Sequence, residues 1–160
     1  MGELGFSYMG ALFLLALLVP NLLWTRCRPE GYDPSGESRL LRLLERAGQI
    51  WITCGALIWR GFDWRPWTAW SWWLAAAVFL MLLYEAWWLR YFRSRRTIAD
   101  FTAGLLGVPA AGAALPVAAF FLLGIYGRAF WLLPGVAVLG IGHIGIHLQH
   151  RRESCGRKEA

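Results

Sequence analysis

The sequence predicts an all-α polytopic integral membrane protein, a bundle of five transmembrane helices, and three observations carry that prediction. The 160-residue chain is 58% hydrophobic and only 16% charged, where an ordinary soluble domain carries about 25% charged residues. Its charges fall in short clusters between long apolar stretches, the pattern of segments that face lipid. Its 11 tryptophans gather near the ends of those stretches, where the amphipathic indole ring fits the membrane interface. A chain of this length forms a single transmembrane domain, residues 1–160.

Crossing a hydrocarbon core about 30 Å thick takes roughly 20 helical residues. The first span is expected over 5–24, from Gly5 to Trp24. It lacks the basic leader of a signal peptide, and its apolar run is longer than a signal core, so it is expected to stay as a membrane helix. The second is expected over 38–60. Between Ala47 and Trp59 the stretch clean of charge is too short to cross, but a helix starting at Ser38 reaches roughly 33 Å and carries Arg42, Glu45 and Arg46 in its first turns. The third covers 69–89, the fourth 105–126 and the fifth 129–148.

Loop charges support five spans over four, because Lys and Arg beside membrane helices are retained on the cytoplasmic side. With the N-terminus outside, Arg26, Arg28, Arg39, Arg42, Arg46, Arg90, Arg93, Arg95, Arg96, Arg151, Arg152, Arg157 and Lys158 are cytoplasmic, and only Arg60, Arg65 and Arg128 are external. If the second segment lay flat on the surface, the basic residues would divide evenly between the two sides. The expected location is a bacterial inner membrane, with the C-terminus in the cytoplasm. The tryptophans agree: Trp59, Trp64, Trp67, Trp70, Trp72, Trp73 and Trp131 fall at the outer boundary and Trp24, Trp87 and Trp88 at the inner one, leaving Trp51 within the membrane.

The formal net charge of +6 therefore reads as a topology signal that also attracts anionic lipids to the cytoplasmic face. Nucleic-acid binding is excluded as a partner class, since it needs a folded soluble reader that the short loops Thr25 to Glu37 and Arg90 to Gly104 cannot form. Cys27, Cys54 and Cys155 are scattered and odd in number, so they read as free thiols.

The fourth span is rich in small residues and holds Pro109 and Pro116. Each proline frees the carbonyl four residues earlier, at Leu105 and Gly112, and favours a bend or a close helix contact. The fifth span ends in a stretch that contains every histidine of the chain, His143, His147 and His150. At about 100° per residue these lie within roughly 60° on one helix face, and Gly135, Gly142 and Gly145 cluster on the opposite face, where small residues admit a neighbouring backbone.

Alternating span direction places further polar groups in the same cytoplasmic half: Asn21 from the first span, Tyr84 and Glu85 from the third, and a stripe of Arg42, Arg46, Gln49 and Thr53, with Glu45 beside it, from the second. An ionisable group inside a span costs at least about 2.5 kcal/mol at the helix centre. Glu85 is therefore expected to face the bundle interior and pair with Arg42, Arg46 or His147. The candidate ligand-binding residues are His143, His147, Glu85, Tyr84, Gln49 and Asn21.

Histidines at i, i+4 are a standard helical metal spacing, so His143, His147 and Glu85 are also the candidate metal ligands. Ile144 stands where a zincin has its glutamate, three histidines are too few for the boxes of a membrane di-iron enzyme, and a bis-histidine haem needs ligands on both faces of the ring. A metal ion or porphyrin is thus an open cofactor choice without a complete motif. The leading functional expectation is a binding or transport module whose polar pocket takes a small ligand, proton or metal. The alternatives are a non-catalytic membrane subunit or assembly partner, in a heteromeric complex or homo-oligomer, and a membrane enzyme acting on a lipid-like substrate.

Overall fold

The computed structural model describes residues 3–29, 32–105 and 107–156, without the side chains of 153–156. Arg157, Lys158 and the thiol of Cys155, all named above, lie outside the described residues. All regular structure among the described residues is helical: α1 Tyr8–Trp24, α2 Arg39–Ile58, α3 Trp72–Arg93, the short α4 Ile98–Phe101, α5 Ala111–Tyr126 and α6 Leu133–Gly156. Short 3-10 turns at Pro34–Gly36, Arg60–Phe62, Ala69–Ser71 and Phe130–Leu132 join or lead into them.

The first helix starts three residues later than its apolar run. Ser7 adopts extended backbone and its side chain caps the helix, accepting from Gly10 N–H at 3.0 Å. The residues before it lie against the end of α2. Gly5 N–H donates to Ile58 O and Ser7 N–H to Leu57 O, each at 2.9 Å, so the extended N-terminal strip satisfies carbonyls that a helix end leaves unpaired. The α2 helix does form over nearly the whole length expected, arginines included.

Its partner is α6, and the two run antiparallel with backbones in contact. A Cβ on Gly48 would stand 2.5 Å from Leu139 N, and one on Gly142 would stand 2.4 Å from Glu45 N. Only glycine fits where two helices approach this closely. The glycine face expected of the last span is thus the face that meets α2.

The fourth span departs most from its expected bounds. Regular helix begins at Ala111, not Leu105. Gly107 turns at φ +81° and Ala110 sits in the left-handed region at φ +50°, which ends any helix running in from the N-terminal side. Pro109, between them, removes a further backbone donor. The Leu105 carbonyl, expected to be freed inside a helix, instead accepts from Val108 N–H at 2.9 Å in a tight turn. The preceding residues fold into α4, which drives Phe101 into an aromatic cluster with Trp24, Trp87, Trp88 and Tyr91.

That small helix is held by a capping box. Asp100 Oδ2 accepts from Thr97 N–H at 3.0 Å, and Thr97 Oγ1 accepts from Asp100 N–H at 3.1 Å. The backbone hydrogen bond from Thr97 holds the Asp100 carboxyl below its ordinary range. A carboxyl with a depressed folded pKa adds stability that is complete above its unfolded value, about 4, and is lost as pH falls through the folded value. Protection of the Phe101 amide, corrected for intrinsic exchange, is expected to hold steady above pH about 5 and decline below about 4. Asp100→Ala should show the low value throughout, and a wild-type profile flat to acid pH would contradict the role given to this box.

The helix ends sort by charge. Tyr91 OH donates to Cys27 O at 2.8 Å and Gln149 Nε2 to Gly36 O at 2.6 Å, gathering the ends near Arg26, Arg39, Arg90 and Arg151. At the opposite end, Trp59 Nε1 donates to Gly127 O at 2.8 Å and Trp70 Nε1 to Tyr126 O at 3.0 Å, beside Arg60, Arg65 and Arg128. Among the described residues two helical stretches, Ala69–Arg93 and Phe130–Arg152, are by length and composition long and apolar enough to cross a bilayer. The apolar α1 and α5 are shorter, at 17 and 16 residues. Leu12, Leu15 and Leu22 on α1, Leu43 and Ile50 on α2, and Phe79, Leu82 and Leu89 on α3 are all exposed, and exposed apolar surface of this kind fits association with lipid.

Candidate functional site

A cavity of about 220 Å³ opens among α1, α2, α5 and α6. Its walls are Leu17, Leu18 and Asn21 from α1, Glu45, Gln49, Ile52 and Thr53 from α2, Pro116, Val117 and Phe120 from α5, and Leu139 and His143 from α6. Most of these are apolar. Asn21, Glu45 and His143 lie toward the basic end of the bundle, where α1 finishes and α2 begins, and Gln49 and Thr53 continue the polar side deeper along α2.

The centre of the polar wall is a pair between the two closely packed helices. His143 Nδ1 stands 2.6 Å from Glu45 Oε1, with the side chains only 17% and 22% exposed. Both residues are where they are because Gly142 admits the α2 backbone at Glu45, which leaves the next side chain on α6 at the right depth to reach the carboxylate. Asn21 follows Pro20 on α1. Its Nδ2 donates to Leu17 O at 2.7 Å and to Tyr84 OH at 2.8 Å, which leaves its carbonyl oxygen as an acceptor at the cavity wall.

The sequence-predicted residues divide into two groups. His143, Gln49 and Asn21 line the cavity, and Tyr84 supports Asn21 from behind. His147 and Glu85 do not line it. His147 is buried between His143 and Phe101, with ring centroids 4.9 Å from each, and its Nδ1 has no hydrogen-bond partner. Glu85 is on α3 beside the exposed residues Leu82 and Leu89. Its Oε1 is buried without a hydrogen-bond partner, and it pairs with none of Arg42, Arg46 or His147 among the described ion pairs.

The expected metal set is therefore not assembled. Among the described residues no group of three or more His, Cys, Asp or Glu is disposed to hold a metal ion. The physical reason is helix order: α3 packs chiefly against α5 and α6 chiefly against α2, and His143 reaches Glu45 of α2 from beside the glycine face while His147 packs on Phe101 of α4, so equal depth did not mean contact. The carboxylate that reaches an imidazole is Glu45. Its signal was present in the sequence, because Glu45 shares a helix face with Gln49 and Ile52 at i, i+4 and i+7. The three histidines of that face have different surroundings. His150 Nε2 stands 3.0 Å from Glu37 Oε1, which in turn accepts from Tyr32 OH at 2.8 Å. Burial, followed by the bond to Glu37, pushes the Tyr32 phenol up from its ordinary value.

The outer tryptophans also divide. Trp59 and Trp70 are bonded to the end of α5, as given above, while Trp64, Trp67 and Trp72 form an exposed run of ring contacts, with centroids 5.9 and 5.4 Å apart. Trp51 is exposed on α2 and packs over Gly135. Cys27 and Cys54 are free thiols. In comparisons with known proteins the chain matches no family model, no curated protein and no solved structure.

Proposed function

We propose that this chain is a five-span protein of a bacterial inner membrane that binds or transports a small ligand in the cavity on its cytoplasmic half. The observation that carries the reading is the Glu45–His143 pair at 2.6 Å in the wall of a cavity otherwise dominated by apolar side chains. Membranes tolerate ionisable groups at such depth mainly where they serve a function. Support for the orientation comes from the sorting of helix ends, since the end rich in arginine is the one that the positive-inside rule assigns to the cytoplasm and that attracts anionic lipid. The shorter helices α1 and α5 fit the same span count where the bilayer thins locally or flanking residues reach the interface.

Reporter fusions test the topology. Fusions at Gly31 and after Ala160 are expected to report cytoplasm and one at Pro66 the outside, and an external C-terminus would overturn the orientation. Solvent extracts of the purified protein test the cavity. The wild type is expected to release a stoichiometric small molecule that the double variant Glu45→Leu, His143→Leu lacks, and identical extracts from both would remove the binding role.

A second reading, a non-catalytic subunit or assembly partner, is favoured by one observation: His147 and His150 are buried in aromatic and loop contacts away from the cavity. It predicts a stoichiometric protein partner on co-purification and full assembly of Glu45→Gln.

A further inference from the structure

We infer that the cavity takes the uncharged, hydroxyl-bearing head of an amphiphile from the cytoplasmic leaflet, entering sideways between α1 and α2. The inference rests on the binding role proposed above and adds the direction of entry and the class of ligand.

The mouth is defined by which lining residues are exposed. Ile52, Pro116, Phe120 and Leu139 are buried at the back, whereas Leu18 on α1 and Gln49 on α2 are exposed. The opening therefore lies between these two helices. They are pinned together at their other ends, where a Cβ on Gly10 would stand 1.9 Å from Ala56 O. At the basic end Trp24, which closes α1, packs on Tyr32 and Phe101, and the exposed Leu18 and Gln49 mark the open side between the two helices.

Depth decides between water and lipid. At 1.5 Å per residue, Leu18 lies roughly 9 Å from the end of α1 and Gln49 roughly 15 Å from the start of α2. The exposed residues beside the mouth are apolar on α1, Leu15 and Leu22, while on α2 Ile50 is joined by Arg46, which shares a stripe with Gln49 without lining the cavity. A molecule already dissolved in the leaflet reaches the mouth along the apolar α1 side without leaving hydrocarbon, with Arg46 on the side nearer the basic end.

The polarity of the wall runs in the same sense as the leaflet. Asn21, Glu45 and His143 are toward the basic end, and the apolar wall of Leu17, Phe120 and Leu139 is deeper. An amphiphile in the cytoplasmic leaflet has its head and tail in that order. The volume, about seven waters of liquid, holds a head and its first carbons, with the rest of the tail left in the groove between α1 and α2.

The chemistry of the polar wall selects the head. Glu45 offers its second carboxylate oxygen, and Asn21 its carbonyl oxygen, both acceptors. A hydroxyl donates to them, and Gln49, at the mouth, can both donate and accept. A carboxylate or phosphate head would bring a negative charge against Glu45 in a medium that screens little.

The test uses monoolein, a neutral dihydroxy amphiphile, and oleate, its anionic counterpart, titrated into the purified full-length protein and followed by native mass spectrometry. Wild-type protein is expected to retain one monoolein and to bind oleate at least tenfold more weakly. Val117→Trp, which fills the cavity, should weaken monoolein at least tenfold. Leu18→Trp, at an exposed position that does not threaten folding, should do the same by blocking the mouth, and Leu82→Trp on the lipid face of α3 should change nothing. Oleate retained as tightly as monoolein, with both lost in Leu18→Trp, overturns the ligand class and leaves the cavity as a binding site. Retention of both probes in Leu18→Trp and Val117→Trp overturns the lateral mouth and the cavity reading together.

Discussion

Replacing Trp87 by alanine is expected to destabilise the folded protein by about 3–5 kcal/mol, the range for removing a fully buried Trp or Phe. The indole is completely buried. It lies parallel to Tyr91 at 6.1 Å, edge-on to Trp88 at 5.0 Å and against Phe101 at 6.1 Å. It also fills the space a Cβ on Gly112 would need, with the nearest ring atom 2.6 Å from that position. Its Nε1 donates to Ala103 O at 3.1 Å, so alanine would remove both the volume and the donor that hold the turn before α5. With lipid around the bundle the transfer part of this cost would shrink and packing and the orphaned carbonyl would carry the loss, which puts the expected value at the lower end of that range. Unfolding in a denaturing detergent titration measures it. Trp87→Phe, which keeps most of the ring contacts, should lose less, and equal losses in both variants would point to the hydrogen bond as the main contribution.

The second large effect is expected at Gly142. Gly142→Ala gains about 1 kcal/mol in helix propensity, yet the added methyl would stand 2.4 Å from Glu45 N and 2.6 Å from Leu41 O. Both are backbone atoms of a packed helix and cannot swing aside. Overpacking costs about 1–3 kcal/mol, and a methyl set against two backbone atoms of a packed helix belongs at the upper end, so the net change is destabilising by about 2 kcal/mol, and Gly142→Leu should prevent assembly. Gly140→Ala supplies the comparison, since its methyl would meet only a Val117 side-chain carbon at 3.1 Å. It gains the same propensity without meeting backbone. Thermal denaturation in detergent should rank the variants Gly140→Ala, wild type or above, then Gly142→Ala, then Gly142→Leu. A Gly142→Ala protein as stable as wild type would mean that α2 and α6 do not approach as closely as described. Displacing α2 would also part Glu45 from His143, so loss of ligand retention should accompany loss of stability.

These two positions illustrate what could be read in advance. Gly142 was legible as one of three glycines recurring on a face opposite the histidines, because helix periodicity is a local property of the chain. Trp87 was legible only as an interfacial tryptophan. Its burial depends on Phe101 arriving from α4, and α4 exists because Gly107, Pro109 and Ala110 stop the helix that apolarity alone extends back to Leu105. The site shows the same division. The sequence placed His143, Gln49 and Asn21 at one depth, and all three line the cavity, whereas Glu85 shares the depth and misses it.

What the sequence determined by itself was helical class, the course of the long helices apart from the start of the fourth span, the end of the bundle that gathers arginine, and the faces of those helices. All of these follow from residue type and a period of 3.6 along one chain. Which helices are neighbours was decided only in the tertiary structure. Neighbour choice depends on how closely two backbones can approach, and that closeness set Glu45, not Glu85, against the imidazole.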